Sequence, residues 1–170
     1  APNGTGSYKI GANYAMSLYP YNMAHSQGYT ELLFLDPVTK TRIDEFGSSN
    51  FIGIKGNTYV TPLSDSVLPS ITNKSLRTIA EDLGMKVEIR PIPVEELAEF
   101  DEVNACGTAV VITPIRSIDD KPLLEGSEVS RTYTMPSGSE YGKLSRALYD
   151  RIRSIQDGLV EDTHGWCVEL

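Results

Sequence analysis

Residues 50–63, NFIGIKGNTYVTPL, carry the pattern that decides the fold. Two short runs rich in β-branched and aromatic residues meet at a Gly-Asn pair, which is typical of strands joined by a tight turn. Apolar residues then recur at helical spacing over positions 76–83 until Gly84 ends them. This predicts a helix with Thr72 as its N-cap. The next stretch, MKVEIRPIP, predicts a further strand.

The flanking segments also mix strands and helices. TELLFLD, TRIDEF and DEVNACG each predict a strand, TAVVITPIRSI predicts one more, and VEELAEF predicts a short helix. Residues 13–27 predict a helix that Pro20 must kink or restart, and residues 139–156 predict a last long helix. Because regular βαβ alternation is lacking, we expect one mixed, barrel-like α/β (α+β) domain over residues 1–170.

Charge and cysteine usage limit the partners. The chain has 170 residues and a formal net charge of −8 without a basic run, which argues against nucleic acid and anionic membrane as partners. Cys106 and Cys167 have no C-x-x-C spacing, so we interpret them as free thiols in a reducing, cytoplasmic compartment, and a disulfide between them stays the less favoured alternative. His25 and His164 have no metal-ligand spacing, and no metal site is predicted.

Lys9 stands out because its neighbours in SYKIGANY are small, apolar or aromatic. A lysine is most often a solvated surface residue, and that interpretation stays open. A desolvated amine has a lowered pKa and forms Schiff bases with carbonyls, which is the functional alternative.

Three other segments could bind an anion or supply a carboxylate. LPSITNKSL brings Ser70, Thr72 and free backbone N–H groups to a helix start, where phosphate binds readily, although ordinary capped helices are far commoner. The corner CGTA offers hydroxyl and N–H groups, or is a simple turn. In IDEFGSSN, Glu45 either supplies the carboxylate of a binding site or is a solvated strand end.

Six segments taken in order resemble the fold-type IV pyridoxal-phosphate aminotransferases, and among these the branched-chain amino acid aminotransferases. The segments are GTGSYKIGANYA, GYTELLFLD, RIDEFGSSNF, LPSITNKSL, ACGTAVVITPI and GLVEDTHGW. The resemblance runs over nearly the whole chain. It implies the fold of the D-amino acid aminotransferase-like C-terminal domain and pyridoxal 5'-phosphate as cofactor.

The resemblance also implies roles for single residues. Lys9 would be the catalytic Schiff-base lysine, and Tyr14 would bond the phenolic oxygen of the cofactor. Glu45 would pair with the pyridine nitrogen and make the ring a better electron sink. The phosphate would be bound from the helix start and the corner, and substrate carboxylate from the corner. The implied cofactor contacts are Lys9, Tyr14, Glu45, Ser49, Asn50, Ile71, Thr72 and Thr108, and the implied substrate contacts are Thr108 and Ala109.

The reaction implied is transfer of the amino group of leucine, isoleucine or valine to 2-oxoglutarate. Two alternatives stay open: a D-amino acid aminotransferase or aminodeoxychorismate lyase of the same fold type, and a non-catalytic fragment that keeps only the fold. The signature K-x-G-x-N-Y at residues 9–14 and the ending D-x-x-G-W at residues 162–166 favour the branched-chain enzymes.

Members of this family begin with a smaller N-terminal domain, and nothing in the chain resembles it. The sequence opens on APNGTG without a methionine, so we expect the chain to be the large C-terminal domain of a parent enzyme. A domain without its neighbour should expose apolar surface. The resemblance implies a homodimer for the parent.

Overall fold

The structure is a computed structural model that describes residues 5–123 and 126–168. The described residues form four α-helices, one 3-10 helix and nine strands. The helices are α1 (Gly11–Ala15), α2 (Leu18–Ser26), α3 (Ile71–Asp82) and α4 (Lys143–Gln156), and the 3-10 helix is Val94–Glu99. The strands are β1 (Leu33–Leu35), β2 (Ile43–Phe46), β3 (Asn50–Lys55), β4 (Thr58–Pro62), β5 (Lys86–Arg90), β6 (Glu102–Gly107), β7 (Val111–Pro114), β8 (Ser117–Asp120) and β9 (Arg131–Thr134).

Strand β3 is the centre of a seven-stranded sheet. It pairs antiparallel with β4 and β6, while β4 pairs parallel with β5 through the crossover helix α3. Strand β7 extends the sheet from β6, and β2 and β1 continue it from the start of β3. The segment after β5 folds back onto β2, where the Ile43 N–H donates to the Ile92 carbonyl at 2.8 Å. The mixed α/β fold is thus as expected, with a curled sheet that does not close into a barrel.

The two faces of this sheet carry two separate apolar cores. Alternation along β3 sends Phe51 and Ile52 to opposite faces, and both are fully buried. Helices α3 and α4 cover the Ile52 face through Leu76, Ile79, Leu148 and Ile152. The Phe51 face packs against residues of β2, the 3-10 helix and β9, among them Ile43, Leu97, Phe100 and Tyr133.

The cap of α3 differs from the sequence-based expectation. Ser70, with extended backbone, is the N-cap, and its Oγ accepts a hydrogen bond from the Asn73 N–H at 3.1 Å. A capping side chain reaches the third helical residue, so Ser70 is correctly spaced and Thr72 already lies inside the first turn. The prediction of Thr72 as cap was therefore wrong.

Other boundaries shift for physical reasons. The helix predicted over residues 13–27 is divided into α1 and α2, and Pro20 lies in the first turn of α2, where its missing N–H costs nothing. The run TAVVITPIRSI is divided into β7 and β8, because β8 leaves the main sheet to pair with β9. The last helix begins at Lys143 instead of residue 139.

Cys106 and Cys167 are both free thiols, as predicted. Cys106 is buried and Cys167 is exposed.

Within residues 5–123 and 126–168, no helix has the length and apolar character needed to cross a membrane.

Candidate functional site

An open cleft of about 1150 Å³ brings together almost all of the predicted site residues. Its lining comes from the loop before α1, the β2–β3 turn, the start of α3 and the β6–β7 corner. The predicted residues on it are Lys9, Tyr14, Glu45, Ser49, Asn50, Ile71, Thr108 and Ala109. Thr72 is the exception, since its half-buried side chain does not line the cleft.

Lys9 lies in a loop that ends in α1, and its side chain is exposed. The loop is held by Asn13, whose Nδ2 donates to the carbonyl of Thr5 and, at 2.7 Å, to that of Tyr8. Asn13 thereby fixes the backbone immediately before the lysine. Tyr14, in α1, is 39% exposed and lines the same cleft.

Glu45 is a half-buried carboxylate held by two neighbours. Its Oε2 accepts a hydrogen bond from Asn50 Nδ2 at 2.8 Å, and both of its oxygens lie 3.3–3.4 Å from the Leu68 N–H. We call this group of Glu45, Asn50 and Leu68 the carboxylate clamp. Burial raises the pKa of Glu45 to about 7, although the Leu68 and Asn50 hydrogen bonds act in the opposite direction. A cationic nitrogen in the cleft would favour the ionised carboxylate.

The start of α3 supplies donors for an anion. Within the described residues, the N–H groups of Ile71 and Thr72 have no hydrogen-bond acceptor, because the first turn of a helix has none to offer. The helix dipole adds partial positive charge at the same place. Leu68 of the carboxylate clamp stands only two residues before the cap Ser70.

The β6–β7 corner completes the cleft from the other side. Gly107 is half-buried, while Thr108 and Ala109 are exposed. The corner ends at Val111, which is buried with a φ of 64°. A β-branched residue rarely adopts this left-handed conformation, so the turn is locally strained.

Sequence reasoning missed several polar residues of the cleft. Glu31 accepts hydrogen bonds from the Leu32 N–H at 2.9 Å and from the Ser48 hydroxyl of the β2–β3 turn. Tyr29 donates to Asp119 Oδ2 at 2.8 Å, across 90 positions of the chain. No local pattern marks these residues, because the contacts of Glu31 with Ser48 and of Tyr29 with Asp119 form only when separate segments meet.

The site as a whole fits pyridoxal 5'-phosphate, which has a basic ring nitrogen at one end and a phosphate near the other. A half-buried carboxylate with a raised pKa suits the nitrogen, and the unpaired N–H groups of α3 suit the phosphate. The amine of Lys9 borders the same space. The fit to the cofactor thus uses three features of the cleft: the Glu45 carboxylate, the N–H groups at the start of α3 and the amine of Lys9.

Large apolar side chains are exposed next to this cleft. Tyr8, Met16, Leu18 and Tyr19 are 63–80% exposed, and all lie in or near α1 and α2. Apolar surface of this kind was expected for a domain without its neighbour.

Comparison with known proteins identifies similar chains. The family model of amino-transferase class IV matches residues 2–118. The branched-chain-amino-acid aminotransferase of Helicobacter pylori is 42% identical over 172 residues, which cover 100% of this chain and 47% of that protein. The chain thus spans about half the length of the curated relatives it matches.

Solved structures of branched-chain amino acid aminotransferases are also similar to this chain. The crystal structure of the branched-chain amino acid aminotransferase of Escherichia coli superposes with a TM-score of 0.81 at 30% identity, covering 98% of this chain and 51% of that one. The enzyme of Thermobaculum terrenum, solved in its PLP-form, superposes with a TM-score of 0.75 at 29% identity over 91% of this chain and 46% of that one.

Proposed function

Because this chain belongs to the amino-transferase class IV family, we propose that it is the cofactor-binding part of a pyridoxal-phosphate-dependent branched-chain aminotransferase. The carboxylate clamp carries the proposal, since it places a half-buried carboxylate in one cleft with a lysine and a free helix start. The names of the relatives favour branched-chain substrates over the D-amino acid and lyase alternatives.

Each residue of the cleft has a definite task in this proposal. When bound, pyridoxal 5'-phosphate supplies an aldehyde that condenses with amines and a ring that accepts electrons from the substrate Cα. Lys9 Nζ would hold the cofactor until the substrate amine displaces it, and the freed Lys9 amine would then take the proton from Cα. Glu45 bonds the protonated ring nitrogen, and Tyr14 bonds the phenolic oxygen.

The remaining predicted residues bind the two anionic groups. The N–H groups of Ile71 and Thr72 and the hydroxyl of Thr108 bind the phosphate, with Ser49 and Asn50 nearby. Thr72 is assigned a contact through its backbone N–H, which is free, within the described residues, at the start of α3, although the residue itself is not part of the cleft lining. The N–H groups of Thr108 and Ala109 bind the substrate carboxylate.

The substrates we propose are leucine, isoleucine or valine as amino donor and 2-oxoglutarate as acceptor. An apolar pocket discriminates by only about 1–3 kcal/mol per methylene, so all three donors should react.

The parent enzyme is proposed to be a cytoplasmic homodimer that adds a smaller N-terminal domain to the single domain formed by residues 1–170. Three observations support this: the half-length match to the relatives, the exposed side chains of α1 and α2, and the two free thiols.

The first test is an absorbance titration of the purified chain with pyridoxal 5'-phosphate. We expect a near-visible band that borohydride removes and that Lys9→Ala abolishes. Lys143→Ala is the matched control, because Lys143 is exposed at the start of α4 and does not line the cleft. A band that is equal in both variants would contradict the role of Lys9.

Activity is then measured on the full-length parent, with both enantiomers of leucine and with 2-oxoglutarate. Turnover of the L-enantiomer supports the branched-chain assignment. Turnover of D-amino acids alone would overturn it in favour of a D-amino acid aminotransferase.

A further inference from the structure

Asn50 is the residue at which three segments of the cleft meet. In the sheet it pairs with Glu45 of β2 on one side and with Cys106 of β6 on the other. Its side chain is 4% exposed. The β2–β3 turn and the β6–β7 corner therefore both depend on the register at this position.

The side chain of Asn50 closes the carboxylate clamp. Its Nδ2 donates to Glu45 Oε2 at 2.8 Å and to the Leu68 carbonyl at 3.1 Å, while the Leu68 N–H faces the Glu45 oxygens. A single amide thus joins the carboxylate to the backbone that leads into α3. The distance between Glu45 and the anion-binding helix start is set by this contact.

The orientation of the amide follows from its neighbours. Both partners of Nδ2 are acceptors, so the nitrogen must face them and Oδ1 must face away. Within the described residues, the buried Oδ1 has no donor. Burying an acceptor without a donor is unfavourable. The two hydrogen bonds that Nδ2 donates therefore best explain why an amide side chain is buried at this position.

We propose that Asn50 is a positioning residue that favours the ionised form of the Glu45 carboxylate and fixes its place relative to the start of α3. The inference rests on the proposed function, which assigns Glu45 to the ring nitrogen. Asn50 acts through Glu45 and Leu68, and loss of its amide should leave a carboxylate that is more easily protonated and less well placed.

Other charged groups share the surroundings of Glu45. Asp44 precedes it on β2 and raises its pKa. Lys9, Glu31, Arg116 and Asp119 line the same cleft. Only the Asn50 amide and the Leu68 N–H donate to the Glu45 carboxylate among the described residues.

The test is an NMR titration of the Glu45 carboxyl carbon in the full chain, with the resonance assigned through Glu45→Gln. In Asn50→Leu, which keeps the side-chain volume, we expect the pKa of Glu45 to rise by about one unit, a tenfold change in its protonation equilibrium. Asn104→Leu is the matched control, because Asn104 is a buried asparagine in the neighbouring strand β6 without contact to Glu45. It should leave the titration unchanged.

An unchanged Glu45 titration in Asn50→Leu, or an equal shift in both variants, would overturn the proposal. If Asn50→Leu does not fold, the same titration of Asn50→Asp tests the role of Asn50. It keeps the shape, removes the donor and adds a like charge, so the apparent pKa of the carboxyl pair should rise further. Wild-type titration in that variant would also overturn the role of Asn50.

A binding measurement separates positioning from general damage. Asn50→Leu should weaken binding of pyridoxal 5'-phosphate at least tenfold and that of inorganic phosphate much less, since only the former reaches Glu45. Equal losses for both ligands would contradict the proposal. If the wild-type chain takes up no pyridoxal 5'-phosphate, the proposed function fails, while the titration still decides the role of Asn50.

Discussion

Glu102, at the start of β6, accepts a hydrogen bond from the N–H of Ser145 at 3.0 Å, 43 positions later in the chain. Its other carboxylate oxygen accepts from the Leu144 N–H at 3.1 Å. A buried strand carboxylate thus caps the N-terminus of α4, whose own N-cap position, Gly142, has no side chain to do so. This contact ties the last helix to the central sheet.

Removing this cap should destabilise the whole domain. Glu102→Ala leaves two N–H groups of α4 without their charged acceptor, and we expect the free energy of unfolding to fall by about 2–3 kcal/mol. Chemical denaturation measures the loss. Glu99→Ala, which removes an exposed partner of Lys55, should change stability by no more than about 0.5 kcal/mol. Equal effects of the two substitutions would refute the cap.

Gly142 is required by the same contact. A Cβ at Gly142 would lie 1.9 Å from the Glu102 carboxyl carbon, so Gly142→Ala should displace the carboxylate and cost about 2–3 kcal/mol. In a Glu102→Ala background the same substitution should cost far less. A double-mutant cycle by denaturation checks this coupling, and strictly additive losses would speak against it.

The titration of Glu45 should make stability depend on pH. Its pKa is raised to about 7 in the folded state, so the folded protein binds more protons than the unfolded chain, and stability falls as pH rises from about 4.5 to 7. Glu45→Gln has no carboxyl group at this position and so avoids this loss. Between pH 4.5 and pH 8 its free energy of unfolding should rise relative to that of wild type by up to about 3 kcal/mol. Urea unfolding at the two pH values measures it. A constant difference between the proteins would contradict the raised pKa.

The cap of α3 can be tested by a pair of alanine substitutions. Ser70→Ala removes the acceptor of the Asn73 N–H and should cost about 1 kcal/mol. Thr72→Ala should be neutral or slightly stabilising, because alanine is the better helix former inside the first turn. Thermal unfolding of both variants separates the two positions. A larger loss in Thr72→Ala would restore Thr72 as the cap.

Local patterns were sufficient for most helices and strands of this fold. Strand β3 and helix α3 follow from alternation and helical spacing, and Gly84 ends the helical pattern with a φ of 75°. Strand β9 was missed, because it lies in a polar stretch and forms only by pairing with β8. The start of α4 was misplaced for the same reason: its cap, Glu102, comes from another element.

The candidate site was predictable as a set of residues but not as an arrangement. The segments around Lys9, Glu45 and Thr108 were singled out from the sequence, and all three line one cleft. The contact of Asn50 with Leu68 and that of Tyr29 with Asp119 could not be inferred, since they join positions 18 and 90 residues apart. Such contacts depend on the strand register, which no local pattern specifies.

The pairing of Asn50 with both β2 and β6 has a consequence for how the protein folds. The hairpin of β2 and β3 closes a short loop, whereas the pairing of β3 with β6 must first close a long one and should be slower. Glu45 and Asn50 therefore meet early, and the Thr108 corner arrives late. During refolding, affinity for ligand should appear only with the final slow phase, after most of the helical signal has returned.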